Sequence, residues 1–412
     1  MDGQTPDSAG TITAIVTGVK TDVGVISQAE GVTRGNCASS AGQNVMTSLE
    51  LAAIGGLSTG VVSTARITHA TSAATYAHTP ERGWESDADL TAEAIANGCK
   101  DIAAQLLDFS YGSGINVVMG GGRRAFIPNT VIDNEGNKGE REDKRNLTRE
   151  WLDKYTHSAY VSNRKEFLAL NPMTTDHLLG LFSSSHMQYN IDRISQGGIE
   201  EPSLAEMTGK AIDILNRNGK GFLLIVEAGR IDHAHHKGNA ARALHDTIAL
   251  SEAVRVAMKK TSSQDTLLVV TADHSHVFTM AGYPTRGNPI LGLVKSNDSN
   301  GLPKVTYSTD SNGLPYTTLG YANGEGFDAP EIDDDVPMIG GRVDLSDVDT
   351  LSVDYYQEAL VPLKSETHGG EDVGIFAQGP GAHLIQGTVE QNYIFHVMNH
   401  AANLVVKAEA AQ

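Results

Sequence analysis

The sequence is poor in cysteine, in positive charge and in long apolar runs, and each shortage excludes something. Its 412 residues contain two cysteines, Cys37 and Cys99, and no C-x-x-C pair, so neither a structural zinc knuckle nor a cysteine-dense scaffold is expected. So few thiols, far apart, fit two buried side chains or one disulfide equally well. Lysine and arginine number 31 against 50 acids, a formal net charge of -19, which disfavours sequence-blind binding of nucleic acid. No apolar run reaches the roughly 18 residues of a membrane-crossing helix. The opening Met1-Asp2-Gly3-Gln4 is neither basic nor apolar, so no secretion signal is read there. The glycine triplet 120–122 is not followed by a lysine and serine, which rules out a Walker loop.

What is present is a globular composition, 40% apolar, long enough to bury a large core in one domain or in one domain with an insertion. The chain is organised around Gly221–His236. Phe222 to Val226 form an unbroken apolar run, as in a central strand of a parallel sheet covered on both faces. Ligand-forming residues follow without a linker: Glu227, Asp232, His233, His235 and His236. Open α/β sheets place their sites at such strand ends.

The same arrangement recurs. Residues 58–64 read as a strand followed by His69 and Thr71, and 115–122 as a strand ending in glycines. Thr266–Thr271 is an apolar strand followed by Asp273, His274 and His276. Helices are expected over 45–53, 89–107, 206–216 and 239–259, with a closing helix from Tyr393. Pro6 and Asp7 start a helix whose apolar face carries Ala9, Ile12 and Val16; this puts Ser8 in the first turn, where free N–H groups favour an anion. Residues 133–150 read as a charged surface excursion. Residues 286–360, with two copies of Ser-Asn-Gly-Leu-Pro and then an acidic run, read as a loop-rich surface insertion.

Asp232 and His236 are spaced i, i+4 and face one side if the segment is helical, which suits two ligands of one zinc, with His368 as a third. Asp273 and His274 would serve a second zinc, and the hard oxygens of Glu227 and Thr71 suit magnesium. Two zincs about 4 Å apart clamp the attacking and leaving oxygens of a phosphoryl transfer. A serine beside such a metal becomes a nucleophile, and an arginine fork holds the remaining phosphate oxygens; Ser8 and Arg82 fit these roles.

At these residues the sequence resembles the alkaline phosphatase family. PDSAGT around Ser8 resembles the nucleophile motif, and THATSAATYAH (68–78) and ERGWESD (81–87) resemble the segments with a magnesium ligand and the phosphate-binding arginine. NVVMGGGRRAF, FLLIVEAGRIDHAHH, TLLVVTADHSHVF and ETHGGEDVGIFAQGPGAHL match further blocks in the same order, from Thr5 to about Met398. The resemblance implies a single catalytic domain over 1–412: a three-layer α/β/α sandwich with a central, mostly parallel sheet and a crown-like insertion at about 286–360. It implies hydrolysis of phosphate monoesters through a phosphoserine on Ser8, with Arg82 as phosphate clamp. Asp232, His236 and His368 would bind one zinc, Asp273 and His274 the other, and Thr71 and Glu227 magnesium with His69 in support. It also implies a Cys37–Cys99 disulfide, a homodimer, and a periplasmic or extracellular location for the full-length protein. Some relatives hold calcium as well; Glu135 and Glu201 would contribute here, but Ser183 stands where an acid belongs.

Two departures matter. Ala228 replaces the usual glycine, a mild change. More seriously, the family begins with a strand ending in Asp-Gly, whose aspartate bridges the second zinc and the magnesium. Only seven residues precede Ser8, and Asp2-Gly3 has no strand before it, so Asp2 is not accepted as that ligand and an N-terminal truncation is expected. The alternatives are a related phosphodiesterase or sulfatase, or an inactive metal-binding fragment. If metal binds, the Asp232–His236–His368 site is expected to be the tightest.

Overall fold

Among the described residues the apolar runs become short strands, numbered here in chain order. They are β1 Ser58–Arg66, β2 Val117–Gly121, β3 Ser158–Val161, β4 His177–Leu181, β5 Phe222–Glu227, β6 Leu268–Thr271, β7 Ser275–His276, β8 Phe278–Met280, β9 Leu319–Gly324, β10 Ala359–Pro362, β11 His368–Gly369 and β12 Ile375–Gln378. The computed structural model describes residues 2–197, 200–326 and 341–412; much of the acidic run from Asp328 lies outside them. Two compact units emerge: Met1–Gly229 with Ile248–His274 and Gly370–Gln412, and Arg230–Thr247 with Ser275–Gly369.

The first unit holds a five-stranded parallel sheet in the order β3-β4-β2-β1-β5. Successive side chains of a strand point to opposite faces, and the sequence places apolar residues on both. Val61, Val118 and Leu179 join one core with Ala9, Ile12 and Val16 of the helix Ser8–Thr17 and with Leu106 of the helix Ile102–Asp108. Val62, Val117 and Leu178 join a second core with Met207, Ala211 and Ile214 of the helix Leu204–Leu215, and with Ala253. The unit is therefore helix, sheet, helix, the expected α/β layering. Each fully buried Val or Leu contributes about 1.5–3 kcal/mol, so both faces matter.

Two expectations are corrected and a third is narrowed. The helix expected over 89–107 is two, Ala92–Ala96 and Ile102–Asp108, because Gly98 adopts φ 77° and Asp101 caps the second helix with its carboxylate. β5 is not a central strand among the described residues. It pairs with β1 alone and all six residues are partly exposed, whereas β2 and β4 are buried throughout. The segment 133–150 lies at the surface as expected, with Asn134–Lys138 and Glu142–Lys144 exposed, but it is not solvated throughout, because the side chains of Asp133 and Arg141 are buried. Arg141 is fully buried and forks onto Asp101 at 2.9 and 3.2 Å, and Asp133 receives Arg123 Nε at 3.0 Å with both side chains buried.

Cys37 and Cys99 form a disulfide. Closing a loop over a separation of 62 residues is worth about 4 kcal/mol on the loop-entropy account. Reduction, or Cys37→Ser, is expected to lower the melting temperature of this unit by several degrees, measured with and without reductant.

A buried histidine gives the fold a pH dependence. His78 Nε2 lies 2.8 Å from Glu50 Oε1 and Nδ1 lies 2.8 Å from the Ser27 carbonyl oxygen. Burial works against the imidazolium, but the hydrogen bond and charge of Glu50 prevail and raise its pKa above the usual 6.5. A raised folded pKa stabilises the fold fully below the unfolded value and loses that contribution as pH rises through the folded one. The melting-temperature gap between wild type and His78→Gln should be wider at about pH 6 than at about pH 9.

In the second unit, β7 and β11 pair antiparallel, setting His276 opposite His368. β10, β9 and β8 form a three-stranded sheet. The two Ser-Asn-Gly-Leu-Pro copies form matching turns. In each, the preceding aspartate, Asp298 or Asp310, accepts the amides two and four residues on at 2.8–3.0 Å.

Candidate active site

Ser8 opens its helix in the first unit. Asp7 is the N-cap, accepting the Gly10 amide at 3.1 Å, and Gly18 closes the helix at φ 77°. This pins the backbone of Ser8 and leaves its hydroxyl 3.2 Å from His274 Nε2. His274 Nε2 in turn lies 3.3 Å from Asp273 Oδ2, which accepts the Thr11 hydroxyl at 2.9 Å. The strand end after β6 and the first turn of the helix thus present one hydroxyl, one imidazole and one carboxylate together.

Arg82 is tied into the same unit. Its Nη1 donates to Asp7 Oδ2 at 2.9 Å, and Nη2 lies 3.3 Å from His69 Nε2. Because Asp7 directly precedes Ser8, that ion pair fixes the guanidinium against the helical turn that carries Ser8. Glu227, at the end of β5, accepts the Ser63 hydroxyl at 2.5 Å and the Ser72 hydroxyl at 3.4 Å. Thr71 lies one residue before Ser72 in the short helix Ala70–Ala73. Glu135 and Glu201 are engaged with protein groups: Glu135 with Arg123 Nη2 at 2.6 Å and the Ser184 amide, Glu201 with the Gln188 amide at 2.9 Å.

The second unit brings together Asp232, His236 and His368. The helix Arg230–His236 sets Asp232 and His236 one turn apart, and the β7–β11 pair delivers His368. Their donor atoms are 3.4 Å (Asp232 Oδ1 to His236 Nε2), 3.5 Å (Asp232 Oδ1 to His368 Nε2) and 3.2 Å (His236 Nε2 to His368 Nε2) apart. A tetrahedral zinc with bonds of about 2.0–2.1 Å sets its donors about 3.3 Å apart, so the three atoms outline one face of that tetrahedron. His236 Nδ1 donates to the Glu366 carbonyl oxygen at 2.6 Å, which leaves Nε2 with its lone pair for a metal.

Two residues that the sequence did not single out as ligands support this face. His276 lies 3.0 Å from Asp232 Oδ1 through Nε2 and 2.7 Å from Glu366 Oε2 through Nδ1. Glu366 is buried and also accepts the Val277 amide at 2.7 Å. Burial opposes charge on His276, but the two carboxylates raise its pKa to about 9. Desolvation likewise opposes the charge of Asp232, while its imidazole partners hold its carboxyl well below the usual range. His235 stacks on His276 and meets the Tyr321 hydroxyl at 2.9 Å; burial and the neighbouring His276 charge lower its pKa to about 3. The only sequence signal for His276 was its place in the ADHSH run after β6. Glu366 gave none beyond standing two residues before His368.

Residues 1–404 match the sequence profile described as Alkaline phosphatase. The chain belongs to the alkaline phosphatase family. The tissue-nonspecific alkaline phosphatase of Gallus gallus is 44% identical over 97% of this chain and 74% of its own length. The tissue-nonspecific enzyme of Homo sapiens is 43% identical with the same coverage. The alkaline phosphatase of Gadus morhua is 43% identical over 97% of this chain and 80% of its own. Among solved structures, the alkaline phosphatase of Thermus thermophilus aligns with a TM-score of 0.64 at 24% identity, covering all of this chain and 85% of that one; this likeness speaks for the fold. As an alkaline phosphatase family member the chain has the expected α/β architecture, and among the described residues no helix is long and apolar enough to cross a membrane.

Proposed function

We propose that the chain hydrolyses phosphate monoesters through a phosphoserine formed on Ser8. The observation that carries this reading is the convergence of Ser8, His274 and Asp273 within hydrogen-bond distance, with Arg82 anchored to the neighbouring Asp7. The Ser8 oxygen attacks phosphorus as the bond to the ester oxygen breaks. Water then cleaves the serine–phosphate bond, releasing phosphate and restoring the hydroxyl. Arg82 can fork onto two non-bridging phosphate oxygens; a monoester has three of these and a diester two, so binding through Arg82 leaves a monoester one further charged oxygen to engage.

Asp232, His236 and His368 are the residues for one zinc, and Asp273 and His274 for the other; Glu227 and Thr71 are those for magnesium, with His69 in support. Such ions, when bound, stabilise charge on the attacking and leaving oxygens. Glu366 and His276 orient Asp232 and His236, so that both meet a cation with their donor atoms already turned inward. The disulfide suits an oxidising compartment, extracellular or periplasmic, and the enzyme acts as a homodimer.

The test is turnover of nitrophenyl phosphate and of a bis-nitrophenyl diester, before and after exhaustive chelation and zinc replacement. The expected result is a strong preference for the monoester, lost on chelation and restored by zinc. Activity that survives complete removal of zinc, or a preference for the diester, would sink this reading.

A further inference from the structure

Thr11 stands one turn after Ser8 on the same helix and is buried. Residues three apart on a helix share a face. A threonine inside a helix often turns its hydroxyl back to a carbonyl of the preceding turn. Thr17, at the end of this helix, does so, donating to the Thr13 carbonyl at 2.6 Å. Thr11 has the same option, since its Oγ1 lies 3.2 Å from the Ser8 carbonyl oxygen. It lies closer, at 2.9 Å, to Asp273 Oδ2. A hydroxyl has one proton to donate, and a charged acceptor at the shorter distance holds it more strongly. The hydroxyl therefore links the turn carrying Ser8 to the segment that follows β6, 262 residues away in sequence. The same Oδ2 lies 3.3 Å from His274 Nε2. Two donors on one tetrahedral zinc stand about that far apart. A carboxylate oxygen has two lone pairs; the Thr11 proton takes one and leaves the other for a cation. The Asp273 backbone is tied separately, its carbonyl accepting Gln391 Nε2, so Thr11 governs the side chain rather than the course of the chain.

We propose that Thr11 is a positioning residue for the phosphatase reaction: its hydroxyl holds Asp273 Oδ2 beside His274 Nε2, so that a zinc ion meets both donors already in place next to the Ser8 hydroxyl. This role rests on the assignment of Asp273 and His274 to a zinc. Thr11 touches neither phosphate nor metal and acts through Asp273. Because Thr11 and Ser8 share one helix, a displacement of that helix moves the nucleophile and the ligand oxygen together.

The experiment titrates the metal-free 412-residue chain with zinc in competition with a chromophoric chelator, in wild type, Thr11→Val, Thr11→Ser and Thr17→Val. His274→Ala identifies the binding step that belongs to Asp273 and His274. Valine keeps the shape of threonine and removes the hydroxyl. Loss of a hydrogen-bond partner behind a metal ligand weakens metal binding about 10–100-fold, and Thr11→Val should weaken that step by this factor. Any step that survives in His274→Ala should be unchanged in Thr11→Val. Thr11→Ser keeps the hydroxyl and should restore the affinity. The zinc concentration for half-maximal turnover of nitrophenyl phosphate should rise in Thr11→Val by the same factor as the affinity falls. Thr17→Val removes a hydroxyl from the same helix without touching Asp273; it should lower the melting temperature and leave both the zinc steps and the zinc requirement as they are. Should valine at position 11 prevent folding, Thr11→Ala, a better helix former, carries the same expectation. The proposal is overturned if Thr11→Val binds zinc at the His274-dependent step as wild type does, or if Thr17→Val weakens that step equally. Zinc binding by the wild type and phosphorylation of Ser8 would then still stand, and with them the phosphoserine reading. A wild type from which His274→Ala removes no zinc step would overturn both.

Discussion

Ser8→Ala is expected to abolish phosphorylation of the chain and to cut nitrophenyl phosphate turnover by roughly 10⁴–10⁶-fold, the scale seen when a nucleophile is removed from an otherwise intact site. The substitution is a clean one. Ser8 is buried at the start of a helix capped by Asp7, and alanine is an excellent residue in a helical first turn. The lost contacts are those of one hydroxyl, which lies 3.2 Å from His274 Nε2. Asp273 keeps Thr11 and Arg82 keeps Asp7, so neither side chain is left uncompensated. The melting temperature should therefore stay within a degree or two while the chemistry disappears. The checks are steady-state turnover, mass spectrometry of the peptide containing position 8 after quenching with substrate present, and the melting temperature. A variant with ordinary turnover, or one still phosphorylated at the same rate on another residue, would reject Ser8 as the nucleophile.

The strands and the grouping of the candidate site residues were legible in the sequence for one reason. Apolar runs that terminate abruptly in Glu, Asp or His, as at Glu227 and at Asp273-His274, combine a strong burial signal with a residue type that has no business at a buried strand end without a partner. The i, i+4 spacing of Asp232 and His236 likewise translated directly into adjacent donors on one helix face. Legibility ended where the decisive partner is remote in sequence. Glu366 and His276 are 90 residues apart, and nothing in the local pattern of either indicates that a buried carboxylate will grip that imidazole. The helix break at Gly98 lost out to periodicity because the apolar positions on its two sides stay roughly in phase. β5 was read as central because periodicity reports how apolar a strand's two faces are and is blind to whether its edge has a neighbour. Composition failed differently in 133–150: alternating charges look the same whether they meet water or one another.

Arg141→Ala is the substitution expected to damage the fold most. The side chain is fully buried; both its Nη atoms reach Asp101, at 2.9 and 3.2 Å, Nε donates to Asp143 at 3.1 Å, and Nη1 donates to the Ala125 carbonyl at 3.2 Å. Asp101 also caps the helix Ile102–Asp108 through the Ala104 amide, so one carboxylate joins a helix terminus to the 133–150 segment. Deleting the arginine leaves Asp101, itself buried, with an uncompensated charge. Breaking a buried pair on one side costs about 3–5 kcal/mol, more than most core truncations. Lysine cannot reproduce the fork, so Arg141→Lys should recover only part of the loss. A double variant, Arg141→Met with Asp101→Asn, removes both charges and should be markedly more stable than Arg141→Ala if the penalty is the orphaned carboxylate rather than lost packing. Both tryptophans, Trp84 and Trp151, are buried in this unit, so intrinsic fluorescence reports its unfolding directly. The urea midpoint should fall by about 1–2 M in Arg141→Ala. A shift no larger than that of an exposed arginine variant such as Arg255→Ala would show that the buried fork does not hold the segment in place, and the 133–150 stretch would return to being the solvated excursion that its composition suggests.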